Sequence, residues 1–121
     1  MATLLVNTGK AVVTNRIKGS GTEPNFVAWG TGAGTTALTD TTLFSETGTR
    51  VAGTSTQVTT TTTNDTYQVV ATQTAGGTLA ITNAGLFDAL TSGNLFVKGD
   101  FSTINLASGD SIQFTFRTQF S

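Results

Sequence analysis

Hydrophobic and polar positions alternate most cleanly at the end of this chain. Ile112, Phe114, Phe116 and Phe120 point one way, and Gln113, Thr115, Arg117 and Gln119 the other. A period of two with aromatics on one side predicts a half-buried antiparallel strand. Earlier runs repeat the theme between turn signals. Arg50 to Thr62 is a long polar β run, and Thr63-Asn64-Asp65-Thr66 offers a two-residue turn. Tyr67, Val69 and Ala71 alternate next, before Gly76-Gly77. Leu79, Ile81 and Phe87 share a parity, with Gly85 permitting a bulge between them. Ser92-Gly93 turns the chain again, Leu95, Val97 and Phe101 share a face, and Ser108-Gly109-Asp110 is the last turn. Strands joined by such short turns predict a meander or Greek key that closes on itself.

Up to about residue 47 the pattern is Gly-rich and less regular. Asn7 to Lys18 predicts the one helix, capped by Asn7 or Thr8, with Ala11, Val12 or Val13, and Ile17 as its apolar stripe. Gly19 is its stop signal, although Gly9 weakens the helix and Val12-Val13-Thr14 also suits a strand. Phe26-Val27-Ala28-Trp29 reads as a short buried strand that ends in a flexible loop, Gly30 to Gly34. Thr39 to Phe44 reads as one helical turn capped by Thr39 or Asp40. The fold predicted over residues 1–121, a single domain, is mainly β. It is an antiparallel jelly-roll-like sandwich or small barrel with one short N-terminal helix.

Composition narrows the function. The chain has no His and no Cys, and close to a quarter of it is Thr. His and Cys are the side chains most easily made reactive near neutral pH. Their absence disfavours an enzyme, a soft-metal site and any disulfide framework. Only 11% of residues are charged and the net charge is −1. That is well below the ~25% charged residues of an ordinary domain. A surface so weakly charged suits a subunit of a large assembly and lacks the basic stripe of a nucleic-acid binder. No segment approaches the ~20 apolar residues of a membrane span. Met1 to Val6 is too short for a signal-peptide hydrophobic region, so the expected site of synthesis is a cytosol.

Gly30, Gly32 and Gly34 do not make a phosphate loop. Thr35 stands where the dinucleotide fingerprint needs Gly, and no Lys follows as a P-loop requires. The acids are Glu23, Asp40, Glu46, Asp65, Asp88, Asp100 and Asp110, without the spacing of a calcium loop. No cofactor and no metal is expected. Thr59 to Thr63 is either a flat hydroxyl array for ice or sugar or a two-sided polar edge strand open to another chain. The lack of a recurring Thr-x-Thr repeat favours the edge strand. The candidate interface residues are therefore Thr59, Thr61 and Thr63, together with Phe44 and Phe96, whose parity sets them opposite the main face.

Several segments together resemble a known family. They are Asn7 to Ala11, Ala28 to Gly32, Asp40 to Leu43, Ile81 to Ala89, Gly93 to Lys98 and Gly109 to Ile112. The order is similar to that of small structural proteins of tailed bacteriophages, over nearly the whole chain. Thr82 to Asp88 and the terminal Gly-Asp-Ser strand are its most specific parts. A related pattern occurs in the attachment region of tail-collar fibres, without the shaft or receptor-binding tip here. The resemblance implies a virion protein, made in the host bacterial cytoplasm, that works as a homo-oligomer. Its partners would be the major capsid protein or other virion proteins, with no nucleic acid and no membrane. The expected role is a capsid cement or decoration protein that stabilises the assembled head. A tail, connector or fibre-attachment protein is the alternative, and a sugar-binding module the reading from another class.

Overall fold

The computed structural model describes residues 3–121. Eight strands and one helix follow in the order β1 (Thr3–Leu5), α1 (Asn7–Ile17), β2 (Phe26–Gly30), β3 (Glu46–Ala52), β4 (Thr54–Val58), β5 (Thr66–Thr74), β6 (Leu79–Phe87), β7 (Leu95–Leu106) and β8 (Ser111–Gln119). They form two antiparallel sheets, β1-β7-β6-β2-β3 and β4-β5-β8. The architecture is a sandwich and not a closed barrel. On one side the chain itself joins the sheets, because β3 runs into β4 through Gly53. A side chain at Gly53 would strike Val69, and its N–H donates to the Asn25 carbonyl at 2.7 Å. On the other side the edges β1 and β8 do not pair.

The space between the sheets holds Val27, Trp29, Ala84, Leu86 and Val97 from the larger sheet. Facing them are Val69 and Ala71 of β5, with Phe114 and Phe116 of β8 packed alongside. The larger sheet also has a second apolar face, carrying Ala28, Phe87 and Leu95. Residues 31–45 cover it without regular structure, with Leu43 buried against it.

Irregularities in the β6–β7 ladder decide which face each side chain takes. The register shifts between Ile81 and Asn83, so Ile81 packs between the sheets while Phe87 faces the covering loop. Those two residues therefore do not share a face as period two predicts, and the irregularity between them lies where residues 101–103 of β7 stand against Thr82, not at Gly85. A second shift lies between Leu86 and Phe87, where the β7 partners skip from Val97 to Leu95. Phe96 is the extra residue, and it turns inward beside Val97.

The remaining differences from the sequence pattern are local. Arg50 to Thr62 is not one run but two strands in different sheets, broken at Gly53. Residues 38–45 contain turns but no helical turn. The Asp40 carboxylate reaches back to the Ala37 N–H at 3.1 Å instead of forward to cap a helix. Helix α1 begins after Val6, whose side chain has no oxygen to cap it, and Thr8 lies within the helix with its hydroxyl donating to the Leu95 carbonyl at 2.8 Å. Its apolar stripe is short: Val12 is buried, Ala11 is exposed and Ile17 is 81% exposed.

Gly9 lets α1 approach β7. It is buried, and a Cβ there would overlap the Phe96 carbonyl oxygen and come within 2.8 Å of Leu5 Cδ1. Gly9→Ala should therefore destabilise by about 1–3 kcal/mol, as overpacking does. Gly76→Ala, with nothing within 4 Å of its Cβ, should stay within about 0.5 kcal/mol of wild type. Urea melts of the two variants test the contrast, and equal losses would show that the approach of α1 is not limited by Gly9.

Candidate functional site

Each of the seven carboxylates accepts a hydrogen bond within the fold. Glu23 accepts from the Tyr67 hydroxyl at 3.1 Å. Glu46 takes the Arg50 guanidinium at 2.8 Å, and that guanidinium also lies 3.6 Å from the centre of the Phe87 ring. Asp88 accepts from the Asn94 N–H at 2.6 Å, Asp100 from the Thr36 N–H at 3.0 Å and Asp110 from the Ala107 N–H at 2.8 Å. Asp65 gathers the N–H groups of Thr60, Thr61 and Thr62 at 2.8, 3.0 and 3.0 Å. Asp40 receives the ammonium of Lys98 at 2.8 Å. Among the described residues, no three acids cluster as metal ligands would.

The Asp40–Lys98 pair sits beneath residues 31–45. Lys98 is fully buried, donates to the Thr42 carbonyl at 2.9 Å, and lies 3.3 Å from the centre of the Phe44 ring. Buried Asn83 bonds both backbone groups of Phe44, accepting from its N–H at 3.0 Å and donating to its carbonyl at 3.1 Å. The Thr82 hydroxyl donates to the Gly32 carbonyl. These side chains hold an otherwise irregular loop against the sheet.

Electrostatics follow from these contacts. The Lys98 hydrogen bond, partly opposed by burial, holds the Asp40 carboxyl below its ordinary value. The backbone N–H of Thr62, then that of Thr60, holds Asp65 well below it. Burial, reinforced by Glu23, pushes the Tyr67 hydroxyl up.

Of the candidate interface residues taken from sequence, the two aromatics are turned away from a free surface and the three threonines are exposed. Phe96 is 2% exposed, because the bulge turns it into the core against Tyr67, with ring centres 6.0 Å apart. Phe44 is half-buried under the Gly34 loop beside Lys98. Thr59, Thr61 and Thr63 are exposed but belong to no strand, because Asp65 winds residues 59–65 into a compact turn. The five are not brought together.

A long row of unpaired backbone groups lies at the open side of the sandwich. There a cleft of about 480 Å³ runs between β8 and the edge formed by β1 and β7, lined by Leu4, Leu5, Phe101, Phe114 and Phe116 among others. β8 pairs with β5 through nine unbroken positions, and no described strand pairs with its other edge. The flanking bonds Ala75 N–H to Asp110 and Phe120 N–H to Asp65 continue the same ladder at both ends. The even-numbered residues of β8 therefore bond to β5. The backbone N–H and C=O groups of Ser111, Gln113, Thr115, Arg117 and Gln119 face outward. This row of free donors and acceptors is the most distinctive surface feature, and the sequence pattern gives no sign of it. Alternation identifies a strand with one buried face, whether the strand is central or at an edge.

No family model matches the chain, and neither the curated proteins nor the solved structures contain a match. No helix among the described residues is long and apolar enough to cross a membrane.

Asp40 and Asp65 bind their protons more weakly in the fold than in the unfolded chain. The stability they contribute is complete above the unfolded carboxylate value near ~4 and is lost as the pH falls through the lower folded values. Melting temperature should be level from neutral pH to about 5 and fall below about 4. A rise on acidification would contradict both assignments.

Phe114 packs against Trp29, Phe101 and Phe116 with ring centres 6.1–6.5 Å apart, yet is only half-buried. Phe114→Ala should cost about 2–3 kcal/mol, below the range for a fully buried ring. Gln113→Ala, on the exposed face, should stay within about 0.5 kcal/mol. Denaturant melts giving the reverse ranking would place the aromatic face of β8 outward.

Proposed function

We propose that this protein is a structural subunit of a bacteriophage virion, and specifically one that binds and reinforces the assembled head. One observation carries the reading: every carboxylate is engaged in holding the fold, while a long strand edge above an apolar cleft is left unpaired. Catalysis needs an acid, base or nucleophile poised for a substrate. Assembly needs unsatisfied backbone and apolar surface, which this fold supplies. The resemblance of the sequence to small phage structural proteins gives the class of assembly.

The mechanism follows from the low charge. Contact with the shell would rest on apolar burial and backbone pairing more than on ion pairs. A seam between capsomers exists only once the lattice has formed, so binding would follow assembly. Many weak contacts on a symmetric lattice then add up to mechanical reinforcement.

Purified protein should co-sediment with stripped particles and stay bound in high salt, because screening at 1 M, with a Debye length of ~3 Å, removes mainly electrostatic attraction. It should bind free capsid subunits poorly. Binding confined to isolated tails would replace the head reading with the tail or fibre-attachment one. Release by moderate salt would refute the apolar mechanism.

A further inference from the structure

We infer that the free edge of β8 pairs with the β8 edge of a second copy of this chain. The two-fold axis passes through Thr115, and the two three-stranded sheets join into one of six strands. This deepens the structural-subunit reading by naming the partner of the unpaired edge, and it rests on that reading only for its biological setting.

The other strand edges are protected in ways that β8 is not. Monomeric β proteins blunt exposed edges with short strands, bulges, prolines or lysines. Four other edges here are blunted. The outer side of β7, beyond its last pairing with β1 at Gly99, is broken by the register shift opposite Ile81 and Asn83. β1 has three described residues, β4 has five, and β3 carries a register shift against β2 and a left-handed Gly48 at φ 73°. β8 differs on every count. It has nine residues in unbroken register, with no Gly, Pro or Lys among them. Its outward backbone groups recur evenly from Ser111 to Gln119.

Self-pairing then follows from register. A two-fold axis perpendicular to the sheet keeps each face continuous, so residues of equal parity must meet. Among such arrangements, only a centre at Thr115 pairs all nine positions. It sets Thr115 opposite Thr115, Gln113 opposite Arg117, and Ser111 opposite Gln119, all at positions whose backbone groups face outward. Phe114 then meets Phe116 twice, at the non-hydrogen-bonded positions where opposed Cα atoms come closest. The inner aromatic row would continue from one copy into the next above the two clefts. The one charge on the strand, Arg117, lies opposite a glutamine. Its guanidinium already donates to Gln68 on its own sheet at 2.7 Å, so the two arginines do not confront each other.

Analytical ultracentrifugation of the purified full chain tests the pairing. Wild type should sediment at twice the chain mass. Thr115→Pro removes an outward N–H and leaves the β5 ladder intact, so the dimer should be lost while the far-ultraviolet β spectrum persists. Thr115→Lys and Thr115→Glu place like charges opposite each other, and each alone should shift the protein to monomer. An equimolar mixture of the two should restore the dimer, which keeps the test decisive even where the proline variant fails to fold. A wild type that stays monomeric across the concentration range, or a dimer unchanged in the charged variants, would overturn the inference. The measurement uses no particles. A dimer that ignores phage heads would count against the head reading alone, and a monomer that binds heads would count against the pairing alone.

Discussion

The fold depends on the burial of Lys98 beneath residues 31–45. The five-stranded sheet is apolar on both faces, yet the described residues form only one other sheet to lay against it. The second face must be covered by a segment with no strand or helix to satisfy its own backbone. Buried backbone groups without partners are costly, so such a cover needs polar anchors. Lys98 supplies an ammonium to Asp40 and the Thr42 carbonyl, and Asn83 pairs with both backbone groups of Phe44. A buried ion pair contributes little net stability against an apolar substitute, but losing one partner leaves a charge stranded. The clamp therefore specifies where the loop lies more than it adds to stability.

Asp40, Asn83, Asp88 and Lys98 all lie in the segments on which the proposed reading rests, and each has a defined task inside the fold. Asp88 closes the β6–β7 turn through Asn94, and Phe87 lies under the Arg50 guanidinium that ties β3 to that turn. Residues engaged in this way hold an architecture together. What the architecture does depends on surfaces that they do not include.

Those surfaces are sparsely charged, and much of the charge that exists is turned to internal use. Arg50 bonds Glu46 and the carbonyls of Ala89 and Ser92, and Arg117 bonds Gln68. Long-range steering of a partner would be weak on such a surface. Specificity would rest on shape and on the directional row of backbone groups along β8, which is compatible with a partner presented at high local concentration.

Some of this was determined by the sequence alone. Alternation located β8 and β5, the Gly signals located the turns at residues 76–77, 92–93 and 108–110, and the β-rich composition implied a sandwich or barrel. These are local properties, set by side-chain period and turn chemistry. Which face a residue takes beyond a bulge was decided only by tertiary structure, because the uneven pairing of Thr82 against residues 101–103 and the extra residue Phe96 change the faces that follow. The same holds for Thr59 to Thr63, whose β propensity gives way to the carboxylate of Asp65. The buried charge of Lys98 and the open edge of β8 arise from neighbours distant in the chain, and no local pattern encodes a neighbour's presence or absence.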